Sequence, residues 1–205
     1  MNSMNKLLAI TLIPLLSSCA SIDYSYFSDF KRLLTRNAIE VSDSYISNAK
    51  YSFIKVSHSR NDAIFVLSEV SSSGIQSWIG SNYEVIKTKH GLIVETQGLE
   101  SDIKLYSSAF NDVMGLCNYS SFINLYNPDL VYAKITFNAK DGCDDRDTLD
   151  GLGLDSGIIT LERQAPRIGW SSKDTYVYED GVVIKSIQKI NPLSEPFVIE
   201  FYYKF

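Results

Sequence analysis

The sequence predicts a mainly β protein, an antiparallel meander curved into a barrel-like sheet or stacked as a sandwich, with one or two short helices. Three observations carry that prediction. Alternating or β-branched runs recur at short intervals from Tyr51 to the last residues. The connections between them are turn-forming, with Ser73-Gly74, His90-Gly91, Asp141-Gly142 and Asp180-Gly181 as the clearest. Helical spacing, by contrast, is concentrated in the N-terminal stretch.

The elements follow in chain order. Residues 1–6 are polar with one positive charge, Lys6, and precede an apolar run from Leu7 to Leu16 broken only by Thr11 and Pro14. That run is too short to span a hydrocarbon core, which needs roughly 20 apolar residues, and it has the layout of a secretory signal peptide. Tyr26, Phe27, Phe30, Leu33 and Leu34 fall at helical spacing and predict a helix over Tyr24–Thr35. A second short helix starts at Ser42, with Ser42 or Asp43 as its N-cap. After Lys50 the period changes to two. Strands are predicted from Tyr51, over Ala63–Val70 after the turn Ser59-Arg60-Asn61-Asp62, and at Ser77–Ile79, Tyr83–Thr88 and Leu92–Gln97. Further strands are Val131–Phe137, Ile158–Arg163, Thr175–Glu179, Val182–Gln188 and Pro196–Lys204. Asp180-Gly181 is the strongest hairpin signal, because that pair tolerates the positive φ angles of a type I′ turn. Tyr106–Asn127 supports no firm assignment, and its Ser108-Ala109-Phe110 and Val113-Met114 are compatible with helix.

The last strand alternates Phe197, Ile199, Phe201, Tyr203 and Phe205 with Val198, Glu200, Tyr202 and Lys204, a pattern that outer-membrane barrels also show. The run Ala63-Ile64-Phe65-Val66-Leu67 argues against a membrane barrel. It is apolar on both faces and suits a strand held between a sheet and a covering layer.

Composition bounds the function. Hydrophobic residues are 45% and charged residues 21% of the chain, as in an ordinary folded domain rather than a disordered one. The formal net charge of -5 offers no basic patch for nucleic acid. No histidine stands at metal-ligand spacing from a cysteine, no G-x-S-x-G elbow occurs, and Gly151–Gly157 lacks the lysine of a phosphate-binding loop. The acidic loop Asp141…Asp150 lacks the central glycine and distal glutamate of a calcium loop. The reading is therefore a non-enzyme with no metal, no cofactor and no catalytic residue. Aromatic residues are 12% of the chain, 13 of them tyrosines, and Trp78, Trp170 or exposed tyrosines are candidate glycan contacts, with core packing the ordinary role of strand aromatics. Cys117 and Cys143 are a candidate disulfide if the domain folds in an oxidising compartment.

Leu16-Ser17-Ser18-Cys19 resembles the lipobox of bacterial lipoproteins. The resemblance implies cleavage before Cys19, acylation there, and, with Ala20 rather than aspartate next, an outer-membrane anchor with the domain facing the periplasm. Several acyl chains on one residue hold a protein stably where one does not. The division that follows is 1–18 signal peptide, 19–50 anchored segment, and 51–205 a single β-rich periplasmic domain.

A second resemblance lies in the domain itself. Trp78, then Glu84-Val85-Ile86-Lys87-Thr88-Lys89-His90-Gly91-Leu92-Ile93-Val94-Glu95-Thr96-Gln97-Gly98-Leu99 and Asp102-Ile103, is similar to the central motif of the YjbF/GfcB family. Tyr176-Val177-Tyr178-Glu179-Asp180-Gly181-Val182-Val183-Ile184-Lys185-Ser186-Ile187-Gln188, with Pro192 after it, is similar to the family's second motif. His90 departs from the asparagine expected in the hairpin. The resemblance implies an outer-membrane lipoprotein supporting capsule or exopolysaccharide export or assembly, with polysaccharide and an outer-membrane export protein as partners. A polysaccharide-modifying envelope enzyme and a periplasmic carrier of a hydrophobic ligand stay open as alternatives. The motif residues themselves read as fold determinants, with glycines at turns and Thr88, Thr96 and Ser186 in strands.

Overall fold

The computed structural model describes residues 38–106, 119–126, 129–139 and 156–204. Within them, one helix, α1 (Asp43–Asn48), precedes twelve strands. These are β1 (Phe53–His58), β2 (Asn61–Val70), β3 (Gln76–Ile79), β4 (Val85–Lys89), β5 (Leu92–Gln97) and β6 (Ile103–Tyr106). They continue as β7 (Tyr119–Tyr126), β8 (Asp129–Ala139), β9 (Ser156–Ala165), β10 (Trp170–Glu179), β11 (Val182–Gln188) and β12 (Phe197–Tyr202). Each strand pairs antiparallel with the next, and β1 closes the ring on β12 from Phe53↔Tyr202 to His58↔Phe197. The sheet is thus a closed meander barrel, the first of the two β architectures that the sequence allows.

The local chemistry follows the sequence closely at α1. Ser42 is the N-cap, its Oγ accepting from the Tyr45 amide at 3.2 Å. Tyr45 meets Phe53 edge-on at 5.3 Å, and the Ile39 amide donates to Asp62 at 2.9 Å, so residues 39–45 lie on the outer wall of β1 and β2. The chain from Asn37 onward forms one compact unit. The helix expected over Tyr24–Thr35, the Ser108–Met114 segment and the Asp141-Gly142 turn lie outside the described residues. Both hairpin dipeptides adopt the left-handed pair that a type I′ turn requires: His90 and Gly91 at φ 47° and 78°, Asp180 and Gly181 at 51° and 75°.

The barrel interior is mainly apolar, and the outer wall carries ion pairs. Phe197, Ile199 and Phe201 of β12 point into the core with Ile54, Phe65, Trp78 and Ile86. The outer wall carries Lys55–Asp62 at 3.4 Å, Lys185–Glu200 at 3.2 Å and Lys87–Glu95 at 3.2 Å. That is the reverse of a lipid-facing barrel, whose outer band is apolar. The run Ala63–Leu67 differs from its expected burial. Phe65 is buried; Ala63, on the same face, is exposed to a cavity that it lines with Val56 and His58, and Val66, on the outer face, is 40% exposed because only the short stretch around α1 covers β2 there.

A round barrel of this many strands encloses more space than its wall side chains fill. Here the β4–β5 hairpin fills it. A register shift after Lys87 bends the hairpin inward, and Leu92, Ile93 and Val94 are buried in succession, both faces at once. The hairpin reaches β11, which stands six strands from β5 in either direction around the ring. There Gln188 of β11 accepts from the Ile93 amide at 2.9 Å and donates to the Gly91 carbonyl at 2.7 Å. A side chain on Gly91 would sit 2.6 Å from Val183, which explains why only glycine fits. The clasp joins opposite sides of the ring and divides its wall into a first lobe, β11, β12 and β1–β4, and a second, β6–β10, which share one hydrophobic core.

Candidate functional site

The two sequence blocks that resemble the capsule-associated family meet at this clasp. Trp78 donates its indole N–H to Thr88 at 2.8 Å, and Thr88 donates to Gln76 at 3.2 Å. After β5, Asp102 accepts from Thr96 (3.0 Å), the Gly98 amide (2.8 Å) and the Leu99 amide (3.0 Å), which closes the β5–β6 loop. The Ile103 amide donates back to Thr96 at 3.0 Å. From the second block, Ser186 accepts from Gln188 at 2.9 Å while Gln188 holds the hairpin. The polar motif residues therefore satisfy buried backbone and one another, as fold determinants do.

Trp78 and Trp170 both point inward. Trp78 is 0% exposed, edge-on to Phe201 at 6.0 Å, and Trp170 is 6% exposed. Neither offers a ring face to a polymer in solvent, so the expected glycan contact at these two residues is corrected to core packing. Cys19, Cys117 and Cys143 lie outside the described residues. Of the histidines, His58 stacks on Phe197 at 4.0 Å beside a cavity of ≈ 240 Å³ that also touches Glu84 and Glu100. His90 takes the first position of the β4–β5 turn.

The second lobe holds the feature least foreshadowed in the sequence. Arg163 of β9 and Asp174 of β10 form an ion pair inside the barrel, 1% and 0% exposed. The guanidinium lies 5.1 Å from the Phe137 ring and 5.7 Å from the Trp170 ring, and Phe137 stacks on Tyr119 at 4.4 Å. Burial opposes the Arg163 charge, but the touching Asp174 carboxylate more than restores it. Burial lifts the Asp174 carboxyl above its ordinary range, while Arg163, the Lys189 amide and Tyr176 pull it back. Burial also raises the Tyr119 and Tyr176 hydroxyls. Sealed this deeply, the pair ties β9 to β10 and reaches no substrate.

The groups that do reach solvent are on the outer wall of the same lobe. Tyr106 (37% exposed), Phe122 (38%) and Tyr132 (55%) form an aromatic ledge across β6, β7 and β8. Phe122 stacks on Tyr132 at 4.3 Å, and Tyr106 tilts toward Tyr132 at 5.7 Å. Asn124 locks the group: its amide donates to the Tyr106 hydroxyl at 3.1 Å and its oxygen accepts from the Tyr132 amide at 2.7 Å. Exposed tyrosines were among the sequence candidates, but not which ones. The readable signal was in β7, where Phe122 and Tyr126 occupy one face while Tyr119, Ile123 and Leu125 fill the other.

Set against known proteins, the chain matches the family described as group 4 capsule polysaccharide lipoprotein GfcB, YjbF over residues 27–201. Among solved structures it is similar to the crystal structure of the hypothetical lipoprotein YmcC from Escherichia coli (K12). The TM-score is 0.63 with 14% identity, covering 90% of this chain and 97% of that one, a likeness of fold. No curated protein matches the chain.

Proposed function

The chain belongs to the YjbF family of group 4 capsule polysaccharide lipoproteins, and on that premise we propose that it supports capsule or exopolysaccharide export or assembly as a non-catalytic, lipid-anchored protein. The observation that carries the proposal is the family match over residues 27–201, which takes in β1–β11 and all of β12 but its last residue. In this reading residues 1–18 direct secretion, Cys19 carries the lipid, and the stretch after it tethers the β domain to the outer membrane on the periplasmic side. The charged outer wall favours a domain surrounded by water, and the polar residues of the two motifs, Thr88, Thr96, Asp102 and Gln188, are engaged in holding strands and loops together, which favours a binding role over turnover. Polysaccharide and an outer-membrane export protein are the proposed partners.

The test is surface polysaccharide output in a strain deleted for this protein and rescued with wild type or with Cys19→Ala. Loss of output on deletion, restored only by wild type, is the expected result. Unchanged output under conditions where the polymer is made overturns the export role. Full rescue by Cys19→Ala overturns the anchor.

A further inference from the structure

We propose that the aromatic ledge on β6–β8 is a binding site for an acidic, uronate-bearing polysaccharide. The inference deepens the export reading and rests on it for its biological setting.

The backbone is distorted to build this ledge. Between the pairs Ile123↔Ala133 and Leu125↔Leu130, Asn124 on β7 faces both Val131 and Tyr132 on β8. That is a β-bulge, a device that re-aims side chains. Tyr132 sits at φ 57°, where a bulky residue is rare and costs of order 1 kcal/mol or more. The result is a tyrosine turned out of the wall and stacked on Phe122 in the open, the opposite of what burial alone would select.

The register then sets cations among the rings. One cross-strand row is Tyr106, Phe122 and Lys134; the next is Lys104, Asn124 and Tyr132. Lys104 lies 5.6 Å from the Tyr106 ring and 3.9 Å from Glu95, which Lys87 already engages at 3.2 Å. Lys104 and Lys134 thus border the rings, with Glu95 the carboxylate in the Lys104 row. One row on, at Tyr126, lie Asp129, its partner across the β7–β8 ladder, and Asp102, whose carboxylate is taken up by Thr96 and the Gly98 and Leu99 amides. Pyranose C–H groups meet the negative face of an aromatic ring, and lysines at its margin meet carboxylates. A neutral glycan has no use for the lysines, and an acidic peptide has little for the open rings.

The test is titration of the full chain, purified in detergent, with fluorescent oligogalacturonate and hyaluronan, and with carboxyl-reduced oligogalacturonate as the neutral control. Tyr132→Asn, which accepts the same positive φ, and the pair Lys104→Gln/Lys134→Gln are compared with wild type after thermal melting shows them folded. We expect the uronate chains to bind, the neutral chain to bind about tenfold more weakly, and each variant to lose about tenfold or more. Added salt weakens wild type more than the lysine variant. Absence of uronate binding, binding that neither variant changes, equal binding of the neutral chain, or equal binding of poly-glutamate each overturns the proposal. The export reading stands or falls separately, on the deletion strain.

Discussion

The two lobes of the barrel were built under different constraints. The first lobe, around Trp78, Ile86 and Phe201, is apolar within and screened by ion pairs without. The second holds an ion pair inside, Arg163–Asp174, and carries open aromatic rings outside at Phe122 and Tyr132. In the first lobe Thr88, Ser186 and Gln188 are buried on hydrogen-bond partners, and Val66, Ile79 and Ile187 are exposed on the outer wall. In the second an otherwise apolar interior takes in a charged pair, and a buried charge lowers stability unless it is partnered. The clasp of Gln188 on the β4–β5 hairpin lies between them and belongs energetically with the first: a buried amide whose partners are all in place.

The comparison breaks most visibly at the ion pair. Arg163→Met strands a buried carboxylate and is expected to lower unfolding free energy by about 3–5 kcal/mol, whereas Arg163→Met/Asp174→Leu recovers most of it. Urea unfolding of both variants measures the difference; equal stability of the two would show that the pair's charges are not desolvated. At the clasp, Gln188→Leu leaves the Ile93 amide and the Gly91 carbonyl unpaired in the interior and is expected to cost about 2–3 kcal/mol. Amide exchange at Ile93 should accelerate with it, and an unchanged rate would mean that the hairpin is held by packing alone.

The outer wall responds more weakly. Asp62 is opposed by its own burial, but the Ile39 amide, Ser57 and Lys55 outweigh that and hold its folded-state pKa below the ordinary value of 3.8. Its stabilisation is therefore present above about pH 4 and is lost as pH falls through the folded value. Asp62→Asn should flatten the acid limb of a urea-midpoint profile taken from about pH 6 to about pH 2, and an unchanged slope would place the acid sensitivity elsewhere. Smallest of all, Tyr132→Asn should leave the unfolding free energy nearly unchanged, within about 0.5 kcal/mol, because relief of backbone strain offsets the lost ring stacking. A large loss would make Tyr132 a packing residue rather than an exposed one.

Most strands were legible because period-two alternation and turn dipeptides are local signals. Leu92–Gln97 and Val182–Gln188 match their predicted limits, and Ser42 caps the helix as expected. β6 and β7 were missed. β6 is only four residues, Ile103–Tyr106, and β7 begins inside a segment whose first half suggested helix. Trp78 and Trp170 were candidates because tryptophan can stack on sugars, yet which face of a strand is inside depends on register, and register placed both in the core. The Arg163–Asp174 pair had no counterpart in the sequence reading, since nothing in the chain between the two announces that adjacent strands would aim both inward.

The sequence by itself determined the family, the antiparallel class, the hairpins at His90-Gly91 and Asp180-Gly181, and the inward face of β12, because each rests on contacts between residues close along the chain or on a motif read as written. Tertiary structure alone decided that the sheet closes, that the β4–β5 hairpin crosses to Gln188, and that Tyr106, Phe122, Lys134 and Tyr132 share one surface. The physical reason is that closure and register are set by the joint packing of twelve strands, and their partners lie up to 152 residues apart in the chain.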